Sequence, residues 1–307
     1  MDEKPGVKYA VFYHKNCSDG FGAAWAAHTL LEKTLGAEVV YLPIDWNREI
    51  DIPLLTGMRV FFFDIAVWRN QLEAIAEVAE SVEVWDHHKS TSDKVGEMEC
   101  VNIDFSKSGA VLAWERCVKE VDSSYSHKMN QPELPSSDEW KEVPELLKYV
   151  QDNDLYKHIL PDSREFRAMI TANPYSFEVW TDISSNLQEY IEKEGVIGLR
   201  ADICRMKERI LPLAYEIEFE GHKIMAVNSP IFPSDLGHML SEEHGIGLVW
   251  FTNGGRMIIS LRSFDSEKID VEQLAVAQGG GGHKAASGFS IPIDSKLALK
   301  IMGIQEE

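Results

Sequence analysis

Residues 59–88 read RVFFFDIAVWRNQLEAIAEVAESVEVWDHH, and the periodicity of this stretch decides the fold class. Arg59–Asp64 is nearly all apolar, the pattern of a strand covered on both faces. A helical pattern follows over Trp68–Ala79, and then a second strand over Val82–Trp85. The alternation extends upstream through a strand at Val7–Tyr13, an Ala-rich helix over Asp19–Leu35 and a strand at Ala37–Ile44. Downstream, Glu99–Ile103 reads as a strand and Ala110–Lys119 as a helix. Such alternation predicts an α/β fold built on a doubly wound, mainly parallel sheet.

Asp122–Asp138, with its Ser, Asn, Pro and Gln, reads as a long surface loop. Helical patterns return over Val143–Val150 and across Phe177–Tyr215. Past His222 come a strand (Lys223–Val227) and a helix for which Ser234 is a candidate N-cap. Ile246–Thr252 and Arg256–Arg262 flank Asn253-Gly254-Gly255, a hairpin signal because these residues tolerate positive φ. A short helix over Asp270–Gln278 is stopped by the glycines at 279–282. This organisation predicts a first domain over 1–190, a helical connector over 191–217 and a smaller α/β domain over 218–307.

At 307 residues the chain exceeds one ordinary core, and 44% hydrophobic with 26% charged residues is a globular composition. The longest apolar runs, such as Arg59 to Val67, are too short for a membrane span, and polar Met1–Lys8 lacks the core of a signal peptide. Cys17, Cys100, Cys117 and Cys204 form no CxxC pair, so a reducing cytoplasm is expected and a disulfide framework is not. A net charge of -20 disfavours long nucleic acid, whose binding rests on Lys and Arg displacing counterions. A short phosphorylated substrate stays compatible, since bound metal ions reverse the potential inside a cleft. Trp25, Trp46, Trp68, Trp85 and Trp114 lie in apolar patterns and are expected in the core.

His14 and Asp19 follow the first strand, Asp64 ends the third, and Asp86-His87-His88 ends the fourth. Beyond the carboxyl ends of strands lies the crevice where open α/β sheets bind ligands, so these groups converge there. Crowded carboxylates repel one another unless a cation neutralises them. Imidazole mixed with carboxylate suits Mn²⁺, Fe²⁺, Co²⁺ or Zn²⁺.

Asp86-His87-His88 after an apolar strand, preceded by His14…Asp19 and Asp64, resembles the DHH phosphoesterase superfamily. The stretch Gly279-Gly280-Gly281-Gly282-His283-Lys284-Ala285-Ala286-Ser287-Gly288-Phe289 resembles the GGGHxxAAGF signature of the DHH-associated substrate domain. The resemblance implies two divalent ions, with Mn²⁺ first and Zn²⁺, Co²⁺ or Mg²⁺ as alternatives. His14 and Asp64 would hold one ion. Asp19, bridging Asp64, His87 and a later Asp would hold the other. Asp152, in Tyr149-Val150-Gln151-Asp152-Asn153-Asp154, is the first choice for that Asp and Asp154 the reserve. Asp86 and His88 complete the catalytic set: Asp86 orients an imidazole, and His88 faces the substrate. Arg262, Ser263, Gly281, Gly282 and His283 would grip the substrate. The pattern departs from the family at one place, where Cys17 stands in the position of the first of two carboxylates once Asp19 is taken as the second. Cys17 reads either as a thiolate ligand favouring softer metals or as a bystander.

The implied activity is hydrolysis of short oligonucleotides or cyclic (di)nucleotides by a hydroxide activated between two metals. A single-strand exonuclease resembling RecJ, a polyphosphatase or pyrophosphatase, and a catalytically weakened nucleotide-binding module are the alternatives. A homodimer is compatible with the sequence, and no membrane partner is expected.

Overall fold

The computed structural model describes residues 8–45, 48–126 and 138–304. The chain divides into two compact units, Met1–Leu199 and Arg200–Glu307.

The first unit is built on β1 (Lys8–His14), β2 (Glu38–Ile44), β3 (Arg59–Phe63), β4 (Ser81–Asp86) and β5 (Val101–Ile103). Their order is β2-β1-β3-β4-β5, and every neighbouring pair is parallel. The helices are α1 (Ser18–Ala27), which runs on through a π-helical stretch at His28–Thr34, α2 (Arg69–Val78), α3 (Lys89–Val95) and α4 (Gly109–Ser126). After them come α5 (Glu145–Asp154), α6 (Ser163–Ala172), α7 (Phe177–Ser185), α8 (Leu187–Tyr190) and the start of α9 (Val196–Arg205), within which the first unit ends at Leu199. Central β3 explains its composition: Phe61 and Phe63 enter the core shared with α1 and α4, while Val60 and Phe62 enter the opposite core with Leu72 and Ile75 of α2. On the first face the helices meet closely, since a Cβ on Gly22 of α1 would lie 2.9 Å from the Cβ of Ala110 on α4.

The second unit holds β6 (Tyr215–Phe219), β7 (His222–Asn228), α10 (Pro233–His244), β8 (Ile246–Asn253), β9 (Arg256–Ser263), α11 (Val271–Val276), β10 (Gly281–His283), β11 (Ala286–Pro292) and α12 (Lys296–Ile301). Its sheet is ordered β10-β11-β9-β8-β7-β6 and is antiparallel except between β7 and β8. Gly254 and Gly255 turn the β8–β9 hairpin at φ 54° and 76°, the paired left-handed residues of a type I′ turn. No helix among the described residues is long and apolar enough to cross a membrane.

Several expectations need correction. The helical pattern expected across Phe177–Tyr215 does not reach Tyr215, which opens the unanticipated edge strand Tyr215–Phe219, whose Tyr-Glu-Ile-Glu-Phe alternation has period two. Asp122 to Ser126 is the end of α4 and not loop, and residues 127–137 of the expected loop lie outside the described residues, as does Trp46. Trp25 and Trp114 are buried as expected, but Trp68 is 50% exposed, because it stands at the N-cap of α2 with Lys94 over its ring. Ser234 is not the cap of α10; Phe232 holds that position, and Ser234 Oγ accepts a hydrogen bond from Arg262 instead. Helices α3 and α6 were not anticipated.

A buried ionic network fixes α4 on the sheet. Arg116 of α4 donates to Glu83 of β4 at 2.6 and 2.7 Å and to Glu120 at 2.9 Å. Glu120 also accepts from Tyr9 Oη at 2.9 Å and pairs with Arg59. Burial alone would raise both carboxyl pKa values, but Arg116 outweighs it and holds Glu83 and Glu120 below the ordinary glutamate range. A depressed folded-state pKa contributes stability above the unfolded value that is lost as pH falls through the folded value. Arg116→Met should therefore cost about 3 kcal/mol at neutral pH, the usual cost of orphaning buried charges, and clearly less near pH 4. Denaturant unfolding at the two pH values checks this; an equal loss at both would contradict it.

Candidate metal centre

Strand order reverses beside β1, so the crevice beyond the carboxyl ends of β1 and β3 is the natural ligand site of this sheet. His14 ends β1, Asp64 follows β3, and Asp86 ends β4 just before His87 and His88. Asp19 lies in the first turn of α1, and Asp154 ends α5.

Asp19 is fully buried, and its carboxylate accepts from the Gly109 and Ala110 amides at 2.6 and 2.9 Å. Those amides open α4, where the helix dipole favours an anion. Asp64 adopts φ 60°, a left-handed conformation that Asp tolerates better than most residues. Gly109 lies against this turn: a Cβ there would come within 2.4 Å of the Asp64 Cβ. Gly20 is similarly required, since its Cβ would fall 2.3 Å from the His14 carbonyl oxygen. Gly109 was not singled out from the sequence, because close approach leaves no mark in periodicity.

The centre of the cluster is His87 Nε2. It lies 3.2 Å from Asp64 Oδ1, 3.5 Å from Asp19 Oδ2 and 3.5 Å from Asp154 Oδ2. Beside it, ligand atoms of His14, Cys17 and Asp64 all fall within 4.8 Å of one another. Asp64 Oδ2 is buried and accepts no hydrogen bond among the described residues; His14 Nδ1 stands 3.5 Å away.

The ionisation of these groups follows from crowding. Burial, then Asp64 and Asp154, push Asp19 well above the ordinary aspartate range. Burial likewise carries Asp154 up to about 6 against the pull of His87. For Asp64 the burial penalty is outweighed by the His14 and His87 imidazoles, which bring it down to about 2. Burial would lower the pKa of His87, but its hydrogen bond to Asp64 and the charges of Asp19 and Asp154 raise it to about 9. The Cys17 thiol is pushed up by burial and by Asp64 and Asp19, while the amides of Gly20 and Asp19 pull the other way.

This donor set fits a divalent metal. One imidazole proton can serve only one of the three oxygens that crowd His87 Nε2, whereas a cation can accept lone pairs from all of them. The buried cluster of Asp and His residues could thus hold metal, as the sequence pattern implies.

Asp86 plays a different part. Its Oδ1 accepts from the His87 and His88 amides at 2.6 and 3.2 Å and from His88 Nδ1 at 2.7 Å, and its Oδ2 accepts from Thr91 Oγ1. A carboxylate so occupied orients its neighbours rather than binding a ligand. It also fixes the His88 proton on Nδ1, and the His88 side chain is 37% exposed.

No protein-family model matches the chain. An uncharacterized protein of Acanthamoeba polyphaga mimivirus is 26% identical over 301 residues, 91% of this chain, and the chain spans 66% of that relative's length. RecJ from Thermus thermophilus, solved in complex with Mn²⁺, superposes with a TM-score of 0.56 at 16% identity, covering 96% of this chain and 50% of RecJ. An exopolyphosphatase-related protein from Bacteroides fragilis gives 0.53 at 13% identity, covering 97% and 91%. The chain shares the fold of these two structures.

Within this fold the placement of one residue is a correction. Asp152, the first choice from sequence, is not in the cluster: it accepts from the Ile159 and Leu160 amides at 2.9 and 3.3 Å and from Ser163 Oγ at 2.6 Å. Residues two apart on a helix point about 200° away from each other, so α5 can bring only one of Asp152 and Asp154 to the site. Asp154 lies seven residues beyond Leu147, which packs toward Gly22 of α1, and so falls on the side of α5 turned to α1, at the partly exposed end of the helix.

In the second unit, Arg262 of β9 and His283 of β10 both pair with Ala286 of β11, so they share one sheet face two strands apart, about 10 Å. Arg262 donates to Ser234 Oγ at 2.7 Å and to the Leu261 carbonyl at 2.8 Å. Ser263 faces the core, while Gly281, Gly282 and His283 are exposed. Gly282, at φ 144°, is a position for glycine, since a Cβ would meet Ser287 Cα at 2.5 Å.

Asp154→Asn should lower Mn²⁺ affinity by about 10-fold or more without destabilising the metal-free protein. Asp152→Asn should spare metal affinity and cost about 1–3 kcal/mol of stability by releasing the 155–162 loop. Titration calorimetry and thermal unfolding read the two effects, and an exchange of roles between the residues would refute the assignment.

Proposed function

We propose that the chain is a metal-dependent phosphodiesterase of the DHH superfamily that acts on short oligonucleotides or cyclic (di)nucleotides. The observation that carries this reading is the convergence of Asp19, Asp64 and Asp154 oxygens on His87 Nε2 at the ligand crevice of the sheet. Asp19, Asp64, His87 and Asp154 would hold one divalent ion, and His14 and Asp64, with Cys17 beside them, a second. Bound divalent ions supply Lewis acidity toward phosphoryl oxygens and acidify water. Mn²⁺ is the first candidate, because the RecJ structure of like fold contains it and a histidine–carboxylate set suits it.

The protein's own contribution is orientation and proton supply. Burial opposes protonation of His88, but the Asp86 carboxylate outweighs it and raises the imidazole pKa, keeping a proton available toward the crevice. His88 would deliver that proton from Nε2 to the oxygen that leaves phosphorus, with Nδ1 anchored on Asp86. Substrate grip is assigned to Arg262, whose guanidinium fork matches phosphate, and to exposed His283 with the Gly281–Gly282 backbone. A net charge of -20 favours a short substrate over a long strand.

A turnover panel with Mn²⁺ tests the reading: pApA, cyclic di-AMP, cyclic AMP, single-stranded DNA, polyphosphate and pyrophosphate. Turnover of a short or cyclic nucleotide is expected, with loss in His87→Ala by about 100-fold or more, in line with removing a metal ligand. Cleavage confined to polyphosphate or pyrophosphate, or activity surviving His87→Ala, would contradict it.

A further inference from the structure

We propose that the position formed by His14, Cys17 and Asp64 takes a thiophilic divalent cation of the Zn²⁺ class, with Cys17 Sγ as a ligand. The two positions of the centre would then differ in metal preference. This rests on the preceding reading of the cluster as a metal centre and goes beyond it.

The geometry separates the two halves of the site by chemistry. Around His87 the donors are one imidazole nitrogen and carboxylate oxygens of Asp19, Asp64 and Asp154, a hard set. Around His14 the donors are an imidazole, a thiol and a carboxylate oxygen, all mutually within 4.8 Å. Asp64 Oδ1 is engaged by His87, whereas buried Asp64 Oδ2 accepts no hydrogen bond among the described residues and faces His14. Cys17 is free of any disulfide and stands at the N-cap of α1, which sets its sulfur beside His14 and Asp64. Asp19 lies two residues on and joins the other half through His87, so α1 offers one ligand to each position.

Thiolate with imidazole selects Zn²⁺ or Co²⁺ over Mn²⁺ or Mg²⁺, which prefer oxygen. On binding, the sulfur–metal bond forms as the S–H proton leaves to solvent, with no change of oxidation state.

Cobalt titration of the metal-free full chain tests this spectroscopically. The wild type should bind two Co²⁺ and develop a thiolate-to-cobalt charge-transfer band in the near ultraviolet beside the weaker visible bands. Cys17→Ser, nearly isosteric, should lose the charge-transfer band, retain one tight Co²⁺ and weaken the other by about 10- to 100-fold. Cys17→Asp should restore binding of two ions without that band, and its Zn²⁺-to-Mn²⁺ affinity ratio should fall about 10-fold or more. Co²⁺ bound without the band in the wild type, or a band that survives Cys17→Ser, would overturn the proposal while leaving the metal centre standing. A wild type that binds no Co²⁺ would overturn both.

Discussion

Carboxylates cannot be buried against one another without a compensating cation, and the first unit is organised around that constraint. Asp19, Asp64 and Asp86 are all buried within reach of the same pair of histidines. Asp86 is satisfied by two amides, an imidazole and a hydroxyl, so it needs no metal. Asp19 and Asp64 keep lone pairs directed at the crevice, and Asp154 joins them from α5. Without a metal the imidazoles must serve as the cations, and the rise of His87 to about 9 is the consequence.

The scaffold keeps that crowding from relaxing. The parallel sheet brings three chain segments to one crevice because each strand ends there. Helix α4 closes the site by setting its first amides on Asp19, and Gly109 allows its backbone to pass over Asp64. About two and three turns further along the same helix, Arg116 and Glu120 anchor it to β1, β3 and β4. Gln151 Oε1 on α5 accepts the Ser108 amide at 3.0 Å, tying the helix that carries Asp154 to the start of α4. Stability and function are therefore coupled through one helix.

Much of this was legible in the sequence where a single physical rule dominates. Apolar runs with a strand's length gave the sheet, and residues just past them gave His14, Asp64 and His87. Other features needed three dimensions. Asp152 and Asp154 are chemically alike, and only the phase of α5 against α1 separates them. Ser234 has the right chemistry for a helix cap, but Arg262 on a neighbouring strand claims its hydroxyl. Trp68 belongs to an apolar run, yet its position at the start of α2 turns it outward. Tyr215–Phe219 has a strand's alternation, but it is five residues long and its first residue was counted with the helical pattern before it.

The most direct test of the central claim is anomalous diffraction at the manganese edge from crystals soaked in Mn²⁺. The account predicts a peak ringed by His87, Asp19, Asp64 and Asp154, with Asp152 still bound to the Ile159 and Leu160 amides. A site without a peak at saturating Mn²⁺, or a peak ligated by Asp152, would contradict it.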